Sequence, residues 1–431
     1  MSNNSKKEEK AGRYALEVSV VIPVYNDGDL LQSVIKALEK QETPPKQIVV
    51  VDSSTDQQSS IVVRHALSAS NILSVYKKIE RAYAGKSMNL GASLATEELI
   101  GFLDTKTVPE RGWIFQATKF IGEKYYDVVF GLTKFEANTG YQRLLKAASY
   151  GNVSHESVPG TIILANSLHT AGGFLENRRA GYDTEWRRRA KNTLNWHTST
   201  SITTGYRGFP LSFGETIRKY IWYSFESAMV EAHTEIKQLY VVIVIFLTAL
   251  IVPQWNRIIA GWDESSLIFI PEVTKIYLLG LAAVLCLLVF FRKTRSRFAR
   301  LGLVFSGVKI AFVICFLFAA YNWNREVAGW TEENIFYIPH ITKLFVVTLA
   351  FLSVLYRGLY RPLKRKESPK YLFPYRWLAI GMLGLALDVV KAPAYVLGGI
   401  ISFFRQVTGL IPITRAASGT STLENTSQRK D

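Results

Sequence analysis

Short apolar strands alternate with helices through the first half of the chain, and this alternation limits the possible fold more than any other feature. Residues 18–26 are apolar and β-branched until Pro23 and Asn26 interrupt them, which predicts a buried strand that ends in a loop. A helix is predicted over about 29–40, and another short apolar strand over 47–51. Strands that alternate with helices in this way predict a mainly parallel sheet with flanking helices.

Acidic residues follow two of the predicted strands. Asp52 comes directly after the strand at 47–51, and Asp104 comes directly after an apolar run at 99–103. In parallel α/β sheets, ligands bind beyond the carboxyl ends of the strands. We therefore expect both carboxylates to lie at one ligand-binding edge, with Thr55 or Asp56 capping the helix that follows Asp52.

Six motifs follow one another in a distinctive order: VSVVIPVYN, VVVDSSTD, AGKSMNLGASLA, FLDTKTVP, AGGFLEN and GYDTEWRRR. In this order and spacing they resemble the family-2 glycosyltransferases of the GT-A fold, over roughly residues 14 to 230. The resemblance implies an α/β domain that binds a nucleotide-sugar donor and transfers the sugar with inversion. It also implies a divalent cation, Mg²⁺ or Mn²⁺, held by a DxD motif.

The resemblance assigns roles to individual residues. Asp183 matches the aspartate of the family's ED motif and is the expected catalytic base, while Asp104 matches the first carboxylate of DxD and is the expected metal ligand. The expected donor-binding residues are Pro23, Tyr25, Asn26, Asp52, Lys86, Asp104 and Lys106. The expected acceptor-side residues are Gly172, Gly173, Phe174, Glu176 and Arg189, the last of which either steadies the loop or meets a phosphate.

The chemistry of sugar transfer explains these residue types. A base must take the acceptor's hydroxyl proton, and positive charge must stabilise the departing diphosphate. Lys106 stands where DxD has its second acid, and a protonated lysine does not ligate a cation. Three alternatives remain: Asp104 alone holds Mg²⁺ or Mn²⁺ together with substrate phosphates, Lys106 meets the diphosphate as a point charge, or Lys106 points to solvent.

The second half of the chain has a different composition. Apolar segments at 239–253, 276–291, 301–321 and 341–356 approach the length of a bilayer span and predict four transmembrane helices. The sequence around Trp255-Asn256-Arg257 recurs around Trp323-Asn324-Arg325 at an offset of 68 residues, which predicts two repeated helical hairpins. A fifth apolar stretch, 377–404, contains two charges and a proline, and it could span, form a re-entrant pair or lie in the interface.

Charge distribution predicts orientation and partners. Basic residues concentrate at 292–297 and 357–376, whereas the repeated loops carry little charge, so the positive-inside rule places the catalytic domain in the cytosol of a multi-pass membrane protein. The net charge of +16 is interpreted as attraction to membrane lipids and phosphate-bearing substrates rather than to nucleic acid. The expected divisions are a disordered 1–13, a GT-A domain at 14–230, a transmembrane or interfacial region at 231–404 and a disordered tail at 405–431. No cleavable signal peptide is predicted before the first motif.

These observations predict an enzyme that adds one sugar to a lipid-linked acceptor, either a polyprenyl phosphate or a polyprenyl-diphosphate oligosaccharide, in the assembly of cell-surface glycans. The first alternative is a processive polysaccharide synthase. Processive members of the family carry QxxRW after the ED motif, and the corresponding stretch around Arg218 lacks both the glutamine and the tryptophan. The second alternative is a non-catalytic membrane scaffold that retains the fold.

Overall fold

The structure is a computed structural model that describes residues 16–230, 255–261, 263–273, 276–277, 332–339 and 341–408, together with residues 248, 252 and 324. The chain divides into two compact units. One contains residues 1–234 and 358–431, and the other contains residues 235–357. The predicted disordered terminus 1–13 and most of the predicted spans at 239–253, 276–291 and 301–321 lie outside the described residues.

An eight-stranded mixed sheet forms the centre of the first unit, in the order β3-β2-β1-β4-β7-β6-β8-β5. The strands are β1 (Val18–Val24), β2 (Gln47–Asp52), β3 (Leu73–Lys78), β4 (Leu99–Phe102), β5 (Thr107–Pro109), β6 (Val128–Phe135), β7 (His155–Leu164) and β8 (Trp196–Tyr206). The helices of this unit before residue 230 are α1 (Gly28–Glu39), α2 (Gln57–Ser68), α3 (Ala84–Ser93), α4 (Trp113–Lys124), α5 (Gly140–Ser149), α6 (Ala165–Ala171), α7 (Tyr182–Thr193) and α8 (Phe213–Met229).

The helices after residue 230 are divided between the two units. The second unit contains α9 (Trp255–Ile258) and α10 (Ile341–Leu355), and a π-helical turn at Tyr356–Tyr360 follows α10. The first unit resumes with α11 (Arg361–Lys364), α12 (Pro369–Leu372) and α13 (Arg376–Thr408). Because α13 continues to Thr408, it extends beyond the predicted boundary at 404, and the rest of the predicted tail lies outside the described residues.

The sheet confirms part of the sequence prediction and corrects the rest. Strands β3, β2, β1 and β4 run parallel, as the alternation of strands and helices predicts. Beyond β4 the sheet changes character, because β7 pairs antiparallel with both β4 and β6, and β5 pairs antiparallel with β8. The sheet is therefore mixed rather than mainly parallel. The carboxyl ends of β1, β2 and β4 nevertheless meet at one edge, as expected for a ligand site.

Burial on both faces explains why the first strands are so apolar. Every residue of β2 is buried, and Val20 and Ile22 of β1 face one hydrophobic cluster while Val21 faces another on the opposite side of the sheet. Such two-sided burial gives continuous apolar runs rather than alternation. Helix α2 begins at the predicted place, because the Asp56 carboxylate accepts hydrogen bonds from the amides of Gln58 and Ser59.

The long helix α13 packs against α5 and α8 of the same unit. Leu387 lies in a buried cluster with Leu145 of α5 and Tyr220 of α8, and a Cβ added at Gly398 would lie 2.4 Å from the Phe225 carbonyl oxygen. Glycine at 398 thus permits close approach of the two helices. The helix is continuous through Pro393, so the stretch 377–404 is one helix and not a re-entrant pair.

The sequence repeat has a structural counterpart in the second unit. The Asn256 side chain donates to the Ile270 carbonyl oxygen at 2.7 Å and accepts from the Ile270 amide at 2.9 Å. Asn324 makes the same pair of hydrogen bonds with Ile338, at 2.7 and 2.9 Å. Each repeat therefore contains the same pair of hydrogen bonds between an asparagine side chain and the backbone of an isoleucine.

One helix among the described residues is long and apolar enough to cross a membrane. It covers Arg376–Ser402, 27 residues, with a mean hydropathy of 1.6 over its most apolar stretch. In the structure, 44% of that stretch is buried. Length and composition of this kind also occur in the core helices of soluble proteins, so four transmembrane helices remain a prediction.

Candidate active site

A cavity of about 190 Å³ lies at the carboxyl ends of the parallel strands. Residues after β1, β2 and β4 contribute to its wall, together with α3, α7, the end of β8 and α8. We call it the donor cavity. Its lining residues are Pro23, Val24, Tyr25, Asp27, Ser53, Ala82, Ala84, Ser87, Met88, Asp104, Thr105, Lys106, Tyr182, Tyr206 and Tyr223. Of the predicted donor-binding residues, Pro23, Tyr25, Asp104 and Lys106 thus lie here.

Lys106 lines the donor cavity and carries its charge there. Its Nζ lies 2.8 Å from Oδ2 of Asp27, a carboxylate at the start of α1 that the sequence analysis did not single out. Both side chains are about one-third exposed, at 36% and 33%. An exchangeable ion pair of this kind can re-form with a bound anion, because neither partner is buried deeply enough to be locked in place. The lysine therefore presents its charge to the cavity rather than to solvent alone.

Asp104 is held by its own loop. Its Oδ1 accepts hydrogen bonds from the Lys106 amide at 2.9 Å and from the Thr107 hydroxyl. Burial raises the pKa of the Asp104 carboxyl above its ordinary value, against the opposing effect of these two hydrogen bonds. Both of these hydrogen bonds are accepted by Oδ1. With respect to the described residues, the lone pairs of Oδ2 therefore stay available for another ligand.

The side chains of the donor cavity can hold a divalent cation only with few protein ligands. Within the described parts of the chain, no group of three or more His, Cys, Asp or Glu side chains is arranged to hold a metal ion. Mg²⁺ and Mn²⁺ accept a single carboxylate when substrate phosphates and water supply the other oxygens. Asp104 can provide that one carboxylate.

Asp183 is the second residue of α7 and is half-buried. The neighbouring Tyr182 lines the donor cavity, and its pKa lies well above the ordinary value because of burial first and the charges of Asp183 and Asp104 second. Burial raises the pKa of Tyr223 of α8, also in the lining; the charge of Lys106 opposes this rise, and those of Asp104 and Asp183 add to it. The expected base and the expected metal ligand therefore act electrostatically on the same cavity wall.

The predicted acceptor-side loop, residues 172–176, is fastened at both ends. Asn89 of α3 accepts from the Phe174 amide at 2.7 Å and donates to the Phe174 carbonyl and to Glu176, each at 2.9 Å. Phe174 is buried with its ring 4.6 Å from Trp186, whose indole N–H donates to the Gly172 carbonyl at 3.0 Å. The loop is thus a rigid part of the domain.

Arg189 also holds the loop at residues 172–176 in position. Its guanidinium forms a bidentate pair with Glu185 at 2.9 and 3.0 Å, and it also donates to the carbonyl oxygens of Gly173, at 2.7 Å, and Ala171. These contacts use the guanidinium's fork geometry against backbone and carboxylate. Of the two roles considered for Arg189, the contacts in the structure are those of a residue that holds the loop.

Three predicted donor-side residues lie apart from the cavity lining. The Asp52 carboxylate is fully buried and accepts hydrogen bonds from Ser60 at 2.7 Å, Tyr76 at 2.8 Å and Lys78 at 3.1 Å. Burial by itself raises the pKa of Asp52, but the hydrogen bonds outweigh it and lower the pKa to about 2. Asn26 links the loops after β1 and β2 by accepting from the amides of Thr55 and Asp56. Lys86 is exposed on α3.

Ser87, next to Lys86, was not among the predicted donor-binding residues. It is 1% exposed, it lines the donor cavity, and its hydroxyl has no hydrogen-bond partner among the described residues. A buried hydroxyl without a partner costs free energy, which a bound ligand can recover. The sequence signal was the Gly85-Lys86-Ser87 triplet, in which the serine and not the lysine faces the cavity.

Lys219 of α8 is a second cation that no motif indicated. Its Nζ donates to the Tyr206 hydroxyl at 3.2 Å and to the Gly208 carbonyl at 3.1 Å. It lies 5.6 Å from the ring centroid of Tyr206 and 5.5 Å from that of Tyr223, both of which line the donor cavity. Burial, with the nearby charge of Lys106, lowers the pKa of Lys219 to about 8.

The mixed α/β sheet carries a polar cavity at the carboxyl ends of its parallel strands, and Asp104 and Lys106 lie in the cavity lining. Residues 19–200 match the sequence family described as Glycosyl transferase family 2. Residues 19–200 thus form a family-2 glycosyltransferase domain, which confirms the prediction of a glycosyltransferase.

Curated relatives match part of the chain. Glycosyltransferase AglE of Haloferax volcanii is 24% identical over 184 residues, which cover 40% of this chain and 60% of AglE. Poly(ribitol-phosphate) β-N-acetylglucosaminyltransferase TarS of Staphylococcus aureus is 27% identical over 117 residues, which cover 26% of this chain and 20% of TarS. The chain therefore spans less than two thirds of the length of these relatives.

Solved structures show similarity at low identity. Residues 1–349 of S. aureus TarS in complex with UDP-GlcNAc align with a TM-score of 0.36 and 20% identity, covering 51% of this chain and 68% of that one. The mannosyltransferase PcManGT from Pyrobaculum calidifontis, in complex with GDP-Man and Mn²⁺, aligns with a TM-score of 0.43 and 14% identity, covering 91% of this chain and 94% of that one.

Proposed function

We propose that this protein transfers a single sugar from a nucleotide-sugar donor to a lipid-linked acceptor at the cytosolic face of a membrane, with inversion at the anomeric carbon, in cell-surface glycan assembly. The observation that carries the proposal is the donor cavity itself. It combines Asp104 and Lys106 at the strand ends with the Ser87 hydroxyl of α3, which has no hydrogen-bond partner in the described part of the chain. Asp183 lies beside the lining residue Tyr182.

The reaction requires one bond to form as another breaks. An acceptor oxygen attacks the anomeric carbon of the donor sugar, and the bond between that carbon and the diphosphate oxygen breaks with its electron pair remaining on the nucleoside diphosphate. Asp183 takes the acceptor's proton. The first turn of α7 is a suitable place for this carboxylate, since the positive end of the helix dipole stabilises negative charge there.

The negative charge on the departing diphosphate needs positive partners. Lys106 can exchange Asp27 for a diphosphate oxygen, and Lys219 adds a second positive charge behind Tyr206. Mg²⁺ or Mn²⁺ held by Asp104 would supply further charge to the diphosphate. The single carboxylate makes this cation contribution smaller, and the lysines correspondingly more important, than in a site with two acidic ligands.

The two acceptor classes make different demands on Asp183. A hydroxyl of a polyprenyl-diphosphate oligosaccharide must lose a proton as it attacks, whereas a polyprenyl phosphate already presents an anionic oxygen at neutral pH. The assignment of a base to Asp183 therefore favours a hydroxyl acceptor. Residues 172–176, held by Asn89 and Arg189, would form the rigid floor against which that acceptor lies.

The test is a transfer assay with the purified full chain in detergent. UDP- and GDP-sugars are each incubated with a polyprenyl phosphate and with a polyprenyl-diphosphate oligosaccharide. The masses of the lipid products are measured by mass spectrometry. We expect a product one sugar heavier than the acceptor, with the anomeric configuration opposite to that of the donor. A ladder of products would support the processive alternative, and donor hydrolysis without transfer to either lipid would overturn the proposed acceptor class.

We also propose that the chain is a multi-pass membrane protein. Support comes from the four apolar segments, the 68-residue repeat and the basic flanks in the sequence. The duplication of a hairpin returns both repeated loops to one side. Cysteines introduced at Ser265 and Asn334, after alanine replaces Cys286 and Cys315, should both react with an impermeant thiol reagent in intact cells, while one at Ser296 should react only after permeabilisation. Labelling of the two loops from opposite sides would contradict the hairpin arrangement.

A further inference from the structure

A second and larger cavity, of about 510 Å³, lies in the first unit between α5 and the segment 367–376. We call it the basic cavity. Its lining residues are Ala137, Arg143, Lys146, Asn152, Glu367, Ser368, Lys370, Tyr371 and Arg376. Among the described residues, none lines both this cavity and the donor cavity. An aromatic cluster of Phe135, Tyr150, Tyr206 and Phe209 packs in the region where α5 meets the end of β8.

The charge of the basic cavity is unbalanced. Arg143, Lys146, Lys370 and Arg376 contribute four positive charges to the lining, and Glu367 contributes one negative charge. Like charges that face one space repel one another and are stabilised when an anion enters. A phosphate group suits this arrangement, because guanidinium and ammonium groups bind its oxygens with charge-assisted hydrogen bonds.

Tyr371 holds two of the cationic groups in position. The Arg143 guanidinium lies 5.0 Å from the centroid of the Tyr371 ring, and the Arg376 guanidinium lies 5.1 Å from it. Contacts of guanidinium groups with an aromatic face limit their rotamers. The cavity therefore presents two oriented guanidinium groups from different segments before any anion is bound.

The cavity opens where α13 begins, and the outer face of α13 is apolar. Leu378, Met382, Leu397 and Ile400 are each between 46% and 56% exposed, and at 3.6 residues per turn they lie on one side of the helix. The charged Asp388 lies on the other side and is 6% exposed, 3.7 Å from Arg361. A helix that turns its charge toward the protein and its apolar side chains outward is suited to contact lipid.

We propose that the basic cavity binds the phosphate head group of an anionic membrane phospholipid whose acyl chains lie along the outer face of α13. The combination of an oriented basic cavity with an adjoining exposed apolar face matches both ends of such a lipid. The inference deepens the proposed function, because it rests on the membrane setting proposed for the enzyme. It assigns the basic cavity to orientation of the domain on the bilayer rather than to the reacting acceptor, since the cavity has no wall in common with the donor cavity.

The experiment measures binding of short-chain phosphatidylglycerol to the purified full chain in detergent, by native mass spectrometry and by titration. Phosphatidylcholine and inorganic phosphate serve as comparison ligands. We expect phosphatidylglycerol to bind more tightly than either. The double variant Lys146→Gln/Lys370→Gln should bind it about 10- to 30-fold more weakly, as expected for the loss of two charges near a phosphate.

The matched control is Lys36→Gln/Lys119→Gln, which removes two charges from exposed positions on α1 and α4 that line neither cavity. It should bind phosphatidylglycerol like the parent protein, and Lys146→Arg/Lys370→Arg should retain most of the affinity. Equal loss in the control, equal binding of phosphatidylcholine, or equal binding of inorganic phosphate would each overturn the assignment to an anionic phospholipid. Donor hydrolysis is followed in parallel, so that failure of the lipid site is distinguished from failure of the proposed enzymatic function.

Discussion

The donor cavity and the basic cavity belong to the same compact unit but are built in opposite ways. The donor cavity is the smaller, at about 190 Å³ against about 510 Å³, and it collects side chains from many elements at the strand ends. Its charges are paired, as in Lys106 with Asp27. The basic cavity is formed mainly by α5 and the segment 367–376, and its positive charges greatly exceed its negative ones.

This difference corresponds to two kinds of task. Catalysis requires groups at fixed positions whose charges rearrange as the reaction proceeds, which favours paired ions and rigid loops. Attraction to a phosphate surface requires only an excess of positive charge in roughly the right place. The rigid fastening of residues 172–176 by Asn89 and Arg189, compared with exposed Lys370 and Arg376 at the basic cavity, fits this division.

The largest effect expected from any substitution concerns Asp183. Asp183→Asn keeps the shape of the side chain but cannot accept the acceptor's proton, so turnover with a hydroxyl acceptor should fall roughly 10²- to 10⁴-fold. Donor affinity should change little. The measurement is steady-state transfer together with calorimetric donor binding.

Asp29→Asn is the matched control for Asp183, because Asp29 is also an acidic residue in the first turn of a helix, is exposed and lines neither cavity. It should leave turnover unchanged. Normal turnover in Asp183→Asn would remove this residue from the mechanism. A loss confined to hydroxyl acceptors, with a polyprenyl phosphate still used well, would sharpen the distinction between the two acceptor classes.

Ser87 should produce the next largest effect. Removing a hydroxyl that bonds a charged ligand costs about 1.5–3 kcal/mol, so Ser87→Ala should weaken donor binding roughly 10- to 100-fold. Thermal stability should stay the same or rise, because the buried hydroxyl has no partner among the described residues. Calorimetry and thermal unfolding test the two halves of this prediction.

Ser60→Ala provides the contrast, because the Ser60 hydroxyl donates to the Asp52 carboxylate at 2.7 Å and receives a hydrogen bond from Lys78 at 2.6 Å. This variant should lower stability. If Ser87→Ala instead unfolds at lower temperature and binds donor normally, Ser87 is a packing residue and not a ligand contact.

The sequence predicted the parts of the molecule whose physics is local. Strands β1, β2 and β4 are recognisable because burial on both faces makes them apolar throughout, and the cap at Asp56 is recognisable because its hydrogen bonds are to the next turn. The loop at 172–176 was found through its glycines. Its partner Asn89 was not, because that contact joins residues 85 positions apart.

The parts that sequence reasoning missed depend on long-range assembly. Tyr206, Lys219 and Tyr223 enter the donor site or its wall only because β8 and α8 follow the mixed half of the sheet, whose antiparallel pairing the strand and helix alternation did not predict. Arg143 and Arg376 meet over Tyr371 although they are far apart in the chain. The apolar composition of 377–404 predicted a membrane segment but gave no sign that one side of the helix packs on α5 and α8.

The effect of pH on donor affinity should be smaller than the effect of Ser87→Ala, and it should identify Lys219 as the titrating group. Its pKa is lowered to about 8, by burial first and by the charge of Lys106 second. In the free enzyme the ammonium is therefore charged below about pH 8 and neutral above it, so the contribution of Lys219 to binding a diphosphate is present at low pH and declines as pH rises through 8. We expect donor affinity to fall several-fold between pH 7 and 9.

Lys219→Arg tests this origin of the pH dependence, because a guanidinium stays protonated across the whole range. The variant should lose the decline above pH 8, while Lys219→Met should bind weakly at every pH. A decline that persists unchanged in the arginine variant would assign the titration to another group in the cavity.

The smallest expected effect is the coupling between the two cavities, and it tests the comparison directly. Effects of substitutions at independent sites add to within about 0.3–0.5 kcal/mol, whereas residues that share a site couple more strongly. Donor affinity is measured by calorimetry in detergent for the parent, for Ser87→Ala, for Lys146→Gln/Lys370→Gln, and for the combined variant. We expect the combined free-energy change to equal the separate changes within this limit, because no residue lines both cavities. A coupling above about 1 kcal/mol would mean that the cavities act as one binding region, with the basic cavity receiving part of the donor or acceptor rather than a separate phospholipid.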